Sequence, residues 1–279
     1  MKIKTVQRAL LAIILASASA AFGADGIAFI TNIKGEISVD GNARPALLSE
    51  LARGQRIAVG KESQAQVMYI TSGKEYILRG PAEYTVKDTE IAGSIAMPPV
   101  TRDTGWRTSN KVLAQVAQTS AASVRMRSIG KPKVEEATLL YPTQGAVATL
   151  QPTFRWRAAD KAPGEFMLVA VGQEKPVHLA KAAGGSYRVP ARILAPDTEY
   201  AWTITVAGNE LGSGRFRTLS QDSLAQVETR RPSDRADFSD RVLFALMLHE
   251  MGAVQEARES WARLAQERGD LPELASLAR

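Results

Sequence analysis

The sequence predicts a mainly β, multidomain protein: a small all-β module, a β-sandwich and a C-terminal α-hairpin. Short apolar segments between residues 27 and 86 are separated by glycine turns about every ten residues, which is typical of a compact all-β unit. Apolar and polar residues alternate over 199–206, as in a half-buried strand. The apolar run over 242–248 and the spacing of Val254, Ala257, Trp261 and Leu264 indicate helices instead.

The N-terminal residues 1–23 have the pattern of a secretory signal peptide. A basic start is followed by a short apolar core and by small residues that suit cleavage. The core is shorter than the ~20 apolar residues that a membrane-spanning helix needs. We therefore expect a cleaved, exported protein. The chain has no cysteine, so disulfides and thiolate chemistry are excluded, and a periplasmic location fits best.

The first module is predicted to cover residues 24–97. Strands are expected near residues 27–33, 55–59, 65–71, 75–78 and 84–86, and a helical turn is expected within 45–53. Asp40-Gly41 is a strong turn signal, because both residue types tolerate positive φ.

This module resembles the FecR-like domain. The matching segments are GEISV at 35–39, LARGQRI at 51–57, AQVMYI at 65–70 and SGKEYIL at 72–78. The family usually has an acidic residue where Ser72 precedes Gly73. In the ferric-citrate regulator the domain receives a signal from an outer-membrane transporter and transmits it to a sigma factor. We see no cytoplasmic helix and no later apolar span, so the resemblance implies a fold and a contact role.

A basic connector is predicted over residues 98–137. Seven lysines and arginines stand against Asp103 between residues 98 and 134, a pattern that suits either a solvated linker or an arm that contacts anionic polymers or lipid headgroups. Arg125 and Arg127 are the candidate contact residues for the second interpretation. Trp106 lies in polar surroundings and needs a burial site, so it is a candidate contact with a domain or a partner. Nucleic acid is not expected as a partner of an exported protein.

The second module is predicted over residues 138–220. Phe154 and Trp156 share one face of a predicted strand. Apolar and polar residues alternate again from Tyr200, which predicts a second strand. The segment from Leu194 to Tyr200 resembles the tyrosine corner of fibronectin type III or immunoglobulin-like β-sandwiches. That resemblance implies that the tyrosine hydroxyl bonds back to the backbone of the turn.

The third module is predicted as a helical hairpin over residues 236–279. Residues 242–248 are apolar nearly all round, so this helix should be buried on several sides. Glu259 and Arg263 are spaced for an ion pair on the outside of the next helix.

The hairpin resembles a tetratricopeptide repeat. The small, small, aromatic and proline positions of that repeat match Gly252, Ala257, Trp261 and Pro272, although the proline stands about three residues late. One hairpin is too little for a stable solenoid. It must therefore dock on the sandwich, on a second copy or on a partner, and Trp261 is the fourth candidate contact residue.

No catalytic residues, metal site or cofactor site are predicted. His178 and His249 belong to different modules, and neither has a second histidine at ligand spacing. No nucleophile motif stands in a suitable context. We expect a protein that is not an enzyme; a hydrolase whose paired carboxylates meet only in the fold is the remote alternative.

These observations favour a non-enzymatic periplasmic adaptor or scaffold that mediates protein–protein contacts in envelope sensing or assembly. An envelope protein is the expected partner. The alternative is an envelope protein that binds polysaccharide or peptidoglycan through its basic connector and exposed aromatic rings. The sequence leaves the oligomeric state open.

Overall fold

The computed structural model describes residues 26–106, 113, 139–157, 163–233 and 235–279. The predicted signal peptide and two candidate contact residues, Arg125 and Arg127, lie outside these ranges. Strands hold 39% and helices 20% of the described residues, so the predicted mainly β class with a C-terminal helical region is confirmed.

Ten strands form the first β unit, in two five-stranded sheets. The strands are β1 (Ala28–Lys34), β2 (Ile37–Val39), β3 (Asn42–Ala43), β4 (Glu50–Leu51), β5 (Arg56–Val59), β6 (Gln64–Tyr69), β7 (Lys74–Arg79), β8 (Ala82–Val86), β9 (Ile91–Ala92) and β10 (Val100–Asp103). One sheet has the order β10-β7-β6-β1-β4 and the other β3-β2-β5-β8-β9. Apolar side chains of both sheets belong to one core.

The five strands predicted in this unit are present within one or two residues of their expected ends. Asp40 and Gly41 both have positive φ and join β2 to β3, which confirms the predicted turn. The helical turn predicted over 45–53 is wrong, because this segment forms turns and the short strand β4, which pairs with β1. The predicted connector also contains a strand, β10, which pairs with β7.

Gly80 allows the backbone after β7 to lie directly against the end of β5. A Cβ atom on Gly80 would stand 1.8 Å from the carbonyl oxygen of Gly60, which no side chain permits. The glycine at position 80 is therefore required by a close backbone approach as well as by a turn.

The second β unit is a sandwich of a three-stranded and a five-stranded sheet. Its strands are β11 (Leu139–Tyr141), β12 (Ala146–Val147), β13 (Thr153–Trp156), β14 (Gly164–Ala170), β15 (His178–Ala182), β16 (Ser186–Arg188), β17 (Glu199–Val206) and β18 (Asn209–Thr218). The orders are β11-β13-β16 and β12-β18-β17-β14-β15, and an aromatic-rich core of its own lies between them. The backbone N–H of Ala195 donates to the Tyr200 hydroxyl at 2.9 Å, as the corner resemblance implies.

The helical region contains α1 (Gln221–Arg230), α2 (Phe238–Glu250), α3 (Val254–Glu267) and α4 (Pro272–Leu277). Helix α1 lies in a segment for which the sequence predicts neither a helix nor a strand. Helices α2 and α3 form the predicted hairpin, with Gly252 at a φ of +79° between them. The apolar residues of the hairpin belong to the same core as the first β unit. Within the described ranges, no helix combines the length and apolar character needed to cross a membrane.

Arg102, which forms an ion pair with the buried Glu75, joins the first β unit to α2. The Glu75 side chain is fully buried; it accepts a hydrogen bond from the Thr31 hydroxyl at 2.8 Å and two from Arg102 at 3.0 and 2.5 Å. Arg102 also donates to Asp240 at 3.0 Å and to Ser239 at 3.1 Å, both on α2. Burial opposes the charge of Arg102, but its bonds to Asp240 and Glu75 outweigh this and raise its pKa.

Replacement of Arg102 with methionine should therefore destabilise the protein by about 3–5 kcal/mol, because it leaves the Glu75 carboxylate buried and unpaired. Urea unfolding of the wild type and the variant measures this difference. Arg102→Met combined with Glu75→Gln should recover much of the loss.

The matched control is Arg53→Met, whose ion pair with Asp88 is exposed on both sides and should cost less than about 1 kcal/mol. Equal losses for the two single variants would contradict a special role for the buried pair.

Candidate functional site

A second buried carboxylate, that of Glu256 on α3, joins the helices to the sandwich. Its Oε1 accepts the Tyr141 hydroxyl at 2.7 Å and the backbone N–H of Ala148 at 2.9 Å. Its Oε2 is buried and meets no hydrogen-bond donor among the described residues. Burial raises the pKa of Glu256, although these two hydrogen bonds oppose the shift. Burial, followed by the charge of Glu256, raises the pKa of Tyr141 as well.

Further polar contacts surround this junction. Gln255 accepts the backbone N–H of Thr143 at 2.8 Å and donates to the Leu140 carbonyl at 3.2 Å. The Gly252 carbonyl accepts the N–H of Ala146 at 3.0 Å. The sandwich is thus attached to the hairpin through backbone groups as well as side chains, which fixes its position along α3.

Glu259 also belongs to this junction, which corrects one prediction. Its carboxylate pairs with Arg155 of the sandwich and not with Arg263. The guanidinium of Arg155 in turn lies 5.1 Å from the centre of the Tyr141 ring. The helical spacing of Glu259 and Arg263 indicated a pair within the helix, but a partner from another unit occupies the carboxylate.

The helices are anchored to the first β unit at their other end. Arg268, just after α3, donates to the Asn32 side chain at 2.9 Å and to the Ile33 carbonyl, and it packs on Phe238. Glu273 at the start of α4 accepts the backbone N–H of Leu47 at 2.6 Å. The hairpin therefore bridges the two β units and docks within the chain.

The two candidate contact tryptophans lie inside the molecule. Trp261 is 1% exposed in the core that the helices share with the first β unit, so its ring is not on the surface as a contact with a partner requires. Trp106 is 9% exposed, and the guanidinium of Arg230 from α1 lies 4.9 Å from its ring centre. The expectation that Trp106 needs a burial site is met within the chain.

An exposed apolar face lies on the outer side of the sandwich, on its five-stranded sheet. Leu179 on β15 is 65% exposed and stands opposite Met167 on β14, which is 36% exposed. Val171, just after β14, is 45% exposed, and Val169 and Ala201 are partly exposed on the same side. We call these five residues the outer apolar face. Strand β15 forms the edge of the sheet.

Charged residues border the outer apolar face along the strands. Glu165 and Lys181 stand opposite each other near one end, and Glu199 and Arg215 lie 3.7 Å apart near the other. Both signs are present, so the border is not a basic patch for a polyanion. An apolar centre with a mixed charged rim is instead typical of a protein contact surface.

No catalytic or metal-binding constellation is found among the described residues. His178 is hydrogen-bonded to Tyr187 at 2.7 Å in the sandwich, whereas His249 is on α2, where burial and then Arg258 lower its pKa. No group of three potential metal ligands occurs in the described ranges.

No known protein family matches the chain, and no curated protein is significantly similar to it. The assignment of the outer apolar face as a candidate site therefore rests on its geometry alone. Sequence reasoning did not predict it, although Met167 and Leu179 are apolar residues at alternate positions where a one-sided strand would be polar.

The buried state of Glu256 predicts a pH dependence. Because its pKa is raised in the folded protein, its contribution to stability is fully present below about pH 4.3, the usual carboxyl pKa, and is lost as the pH rises through the raised value. Glu256→Gln keeps the accepting oxygen and does not titrate. The free energy of unfolding of the wild type, relative to this variant, should therefore fall as the pH rises from 4 to 8.

Urea unfolding at several pH values tests this, and a difference that is flat with pH would contradict it. Glu256→Ala serves as the second variant. It removes the acceptor of both hydrogen bonds and should be about 2–4 kcal/mol less stable than Glu256→Gln at every pH, because the Tyr141 hydroxyl and the Ala148 N–H lose their partner.

Proposed function

We propose that the protein is a non-enzymatic adaptor of the bacterial cell envelope that binds a partner protein through the outer apolar face. The observation that carries this proposal is the exposed Leu179–Met167 pair, which lies on a regular sheet and is bordered by charges of both signs. Exposed apolar area that is rimmed by polar residues is characteristic of interaction sites.

The interior contacts support a scaffold role. Arg102, held by Glu75, connects the first β unit to Asp240 on α2, and Tyr141 connects the sandwich to Glu256 on α3. A face on the sandwich is therefore held at a fixed position relative to the first β unit. Such pre-organisation reduces the entropy that binding a partner costs.

The finer identities belong to the same proposal. The first unit is a FecR-like domain, the sandwich is of the fibronectin type III or immunoglobulin-like kind, and the hairpin is tetratricopeptide-like. The signal pattern at residues 1–23 supports export to the periplasm. In this arrangement the FecR-like domain and the sandwich are two contact modules that the helices hold together.

A protein partner is favoured over a glycan. Stacking on a sugar needs an exposed aromatic ring, but all four tryptophans of the chain are buried, and among the described tyrosines and phenylalanines only Tyr187 is even partly exposed. The outer apolar face is formed by aliphatic side chains and methionine. Its partner should therefore present an apolar surface of its own.

A photo-reactive residue at position 179 tests the proposal in intact envelopes. We expect one cross-linked adduct of defined mass to an envelope protein. The double variant Met167→Lys and Leu179→Lys should capture that protein at least about tenfold less, because it introduces charges at the centre of the contact. Its melting temperature should stay close to that of the wild type, since both side chains are exposed.

The matched control places the same probe at Val100, which is 46% exposed on the edge strand β10 of the other β unit. Equal cross-linking from both positions, or adducts only to insoluble cell wall, would contradict the proposal. An adduct between two copies of the chain would show that this face mediates self-association and does not bind a separate envelope protein.

A further inference from the structure

A cleft lined by arginines lies on the helical region, away from the outer apolar face. It is formed by the segment after α1 and by the facing sides of α2 and α3, and its volume is about 270 Å³. The lining residues are Arg231, Pro232, Ser233, Arg241, Phe244, Ser260, Arg263 and Leu264. Three of these described residues are arginines and none of them is acidic. We call it the arginine cleft.

The three guanidinium groups have different partners. Arg241 forms a two-bond pair with Glu267 at the end of α3, through Nη1 and, at 2.7 Å, through Nη2. Its Nε is buried without an acceptor among the described residues, so a small rotation toward a bound anion would satisfy this donor. Bonding to Glu267 raises the pKa of Arg241, which keeps it charged.

The other two arginines form weaker ion pairs or none. Arg231 lies 3.6 Å from Glu228, in a pair exposed on both sides, and its guanidinium is 5.8 Å from the Phe244 ring centre. Arg263 is exposed and has no ion-pair partner among the described residues. The cleft therefore has an excess of positive charge, since one of its arginines is fully neutralised, one is weakly paired and one has no carboxylate.

From this arrangement we propose that the arginine cleft binds a phosphate group. A carboxylate has two oxygens and is satisfied by one guanidinium, as Glu267 shows with Arg241. Three guanidinium groups and the Ser233 hydroxyl around one opening suit an anion with more oxygens and more charge, whereas the Ser260 hydroxyl donates to the Glu256 carbonyl. The volume is slightly below the range of roughly 300–1,000 Å³ for drug-sized ligands, so the bound molecule is small or is a headgroup that enters only in part.

The phosphate could come from a free solute or from a phospholipid headgroup, and the chemistry of recognition is the same for both. This proposal is independent of the adaptor function, because the outer apolar face lies on the sandwich and the arginine cleft is formed by the helices and the segment before them. Either one can fail without the other.

Inorganic phosphate is the first probe, titrated into the mature chain by calorimetry at an ionic strength held constant with chloride. We expect saturable binding that acetate does not reproduce. Arg263→Gln should weaken this binding about tenfold or more, since a hydrogen bond to a charged group is lost. Arg231→Gln is the second variant, should the first fail to fold, and Arg241 is left unchanged because it joins α2 to α3.

Arg188→Gln is the control, because it removes one exposed arginine from β16 of the sandwich and should leave phosphate binding unchanged. Absence of saturable phosphate binding by the wild type would overturn the proposal. So would an equal loss in Arg188→Gln and Arg263→Gln, which would indicate only general attraction to a basic protein.

Vesicles of phosphatidylglycerol, compared with phosphatidylcholine, distinguish the two sources. Co-sedimentation that Arg263→Gln reduces, together with saturable phosphate binding, supports a headgroup ligand. Phosphate binding without vesicle binding supports a solute. Vesicle binding that Arg263→Gln leaves unchanged, in the absence of phosphate binding, contradicts the site.

Discussion

Helix α2 imposes the main physical constraint on this molecule, because it is apolar on nearly every side. Residues 242–248 are all buried, so α2 cannot remain in water and must be surrounded. Helix α3 covers one side and the first β unit covers another, where α2 contacts strand β1. The continuous core that results makes the hairpin and the first β unit one structural body. The sandwich, which has a separate core, is then attached to α3 by polar contacts.

Hydrophobic burial alone would not fix how these elements are oriented, because it has no preferred direction. The buried carboxylates of Glu75 and Glu256 supply that direction. Each needs its hydrogen bonds at defined distances: Glu75 holds Arg102, which bonds to Asp240 on α2, and Glu256 takes its hydrogen bonds from the sandwich. Buried polar groups of this kind contribute little net stability compared with apolar packing, but leaving one without its partners is costly. They therefore disfavour alternative dockings of the hairpin more than they strengthen the observed one.

Local patterns in the sequence were sufficient to predict most elements, and they failed where burial depends on a distant segment. Periodicity located the longer strands of the first β unit, some strands of the sandwich and the α2–α3 hairpin, since those signals lie within a few residues. The strand β10 was missed because Thr101, Arg102 and Asp103 are polar, and only its pairing with β7 makes it a strand. Glu75 gave no sign of burial by itself, although Ile77 on the same face of β7 indicated that this face is covered.

The two candidate surfaces could not be predicted from the sequence for a related reason. Arg231, Arg241 and Arg263 are each separated by about ten residues or more, so no charge run indicated that they meet in one cleft. Conversely, the sequence made Trp261 a candidate contact with a partner. Its ring lies on the side of α3 that faces the core, so packing within the chain explains it. Nearly all the described aromatic residues lie in the interior, whereas the two candidate surfaces are aliphatic on the sandwich and cationic on the helices. The two proposed binding surfaces therefore lie on separate parts of the molecule, and neither depends on an exposed aromatic ring.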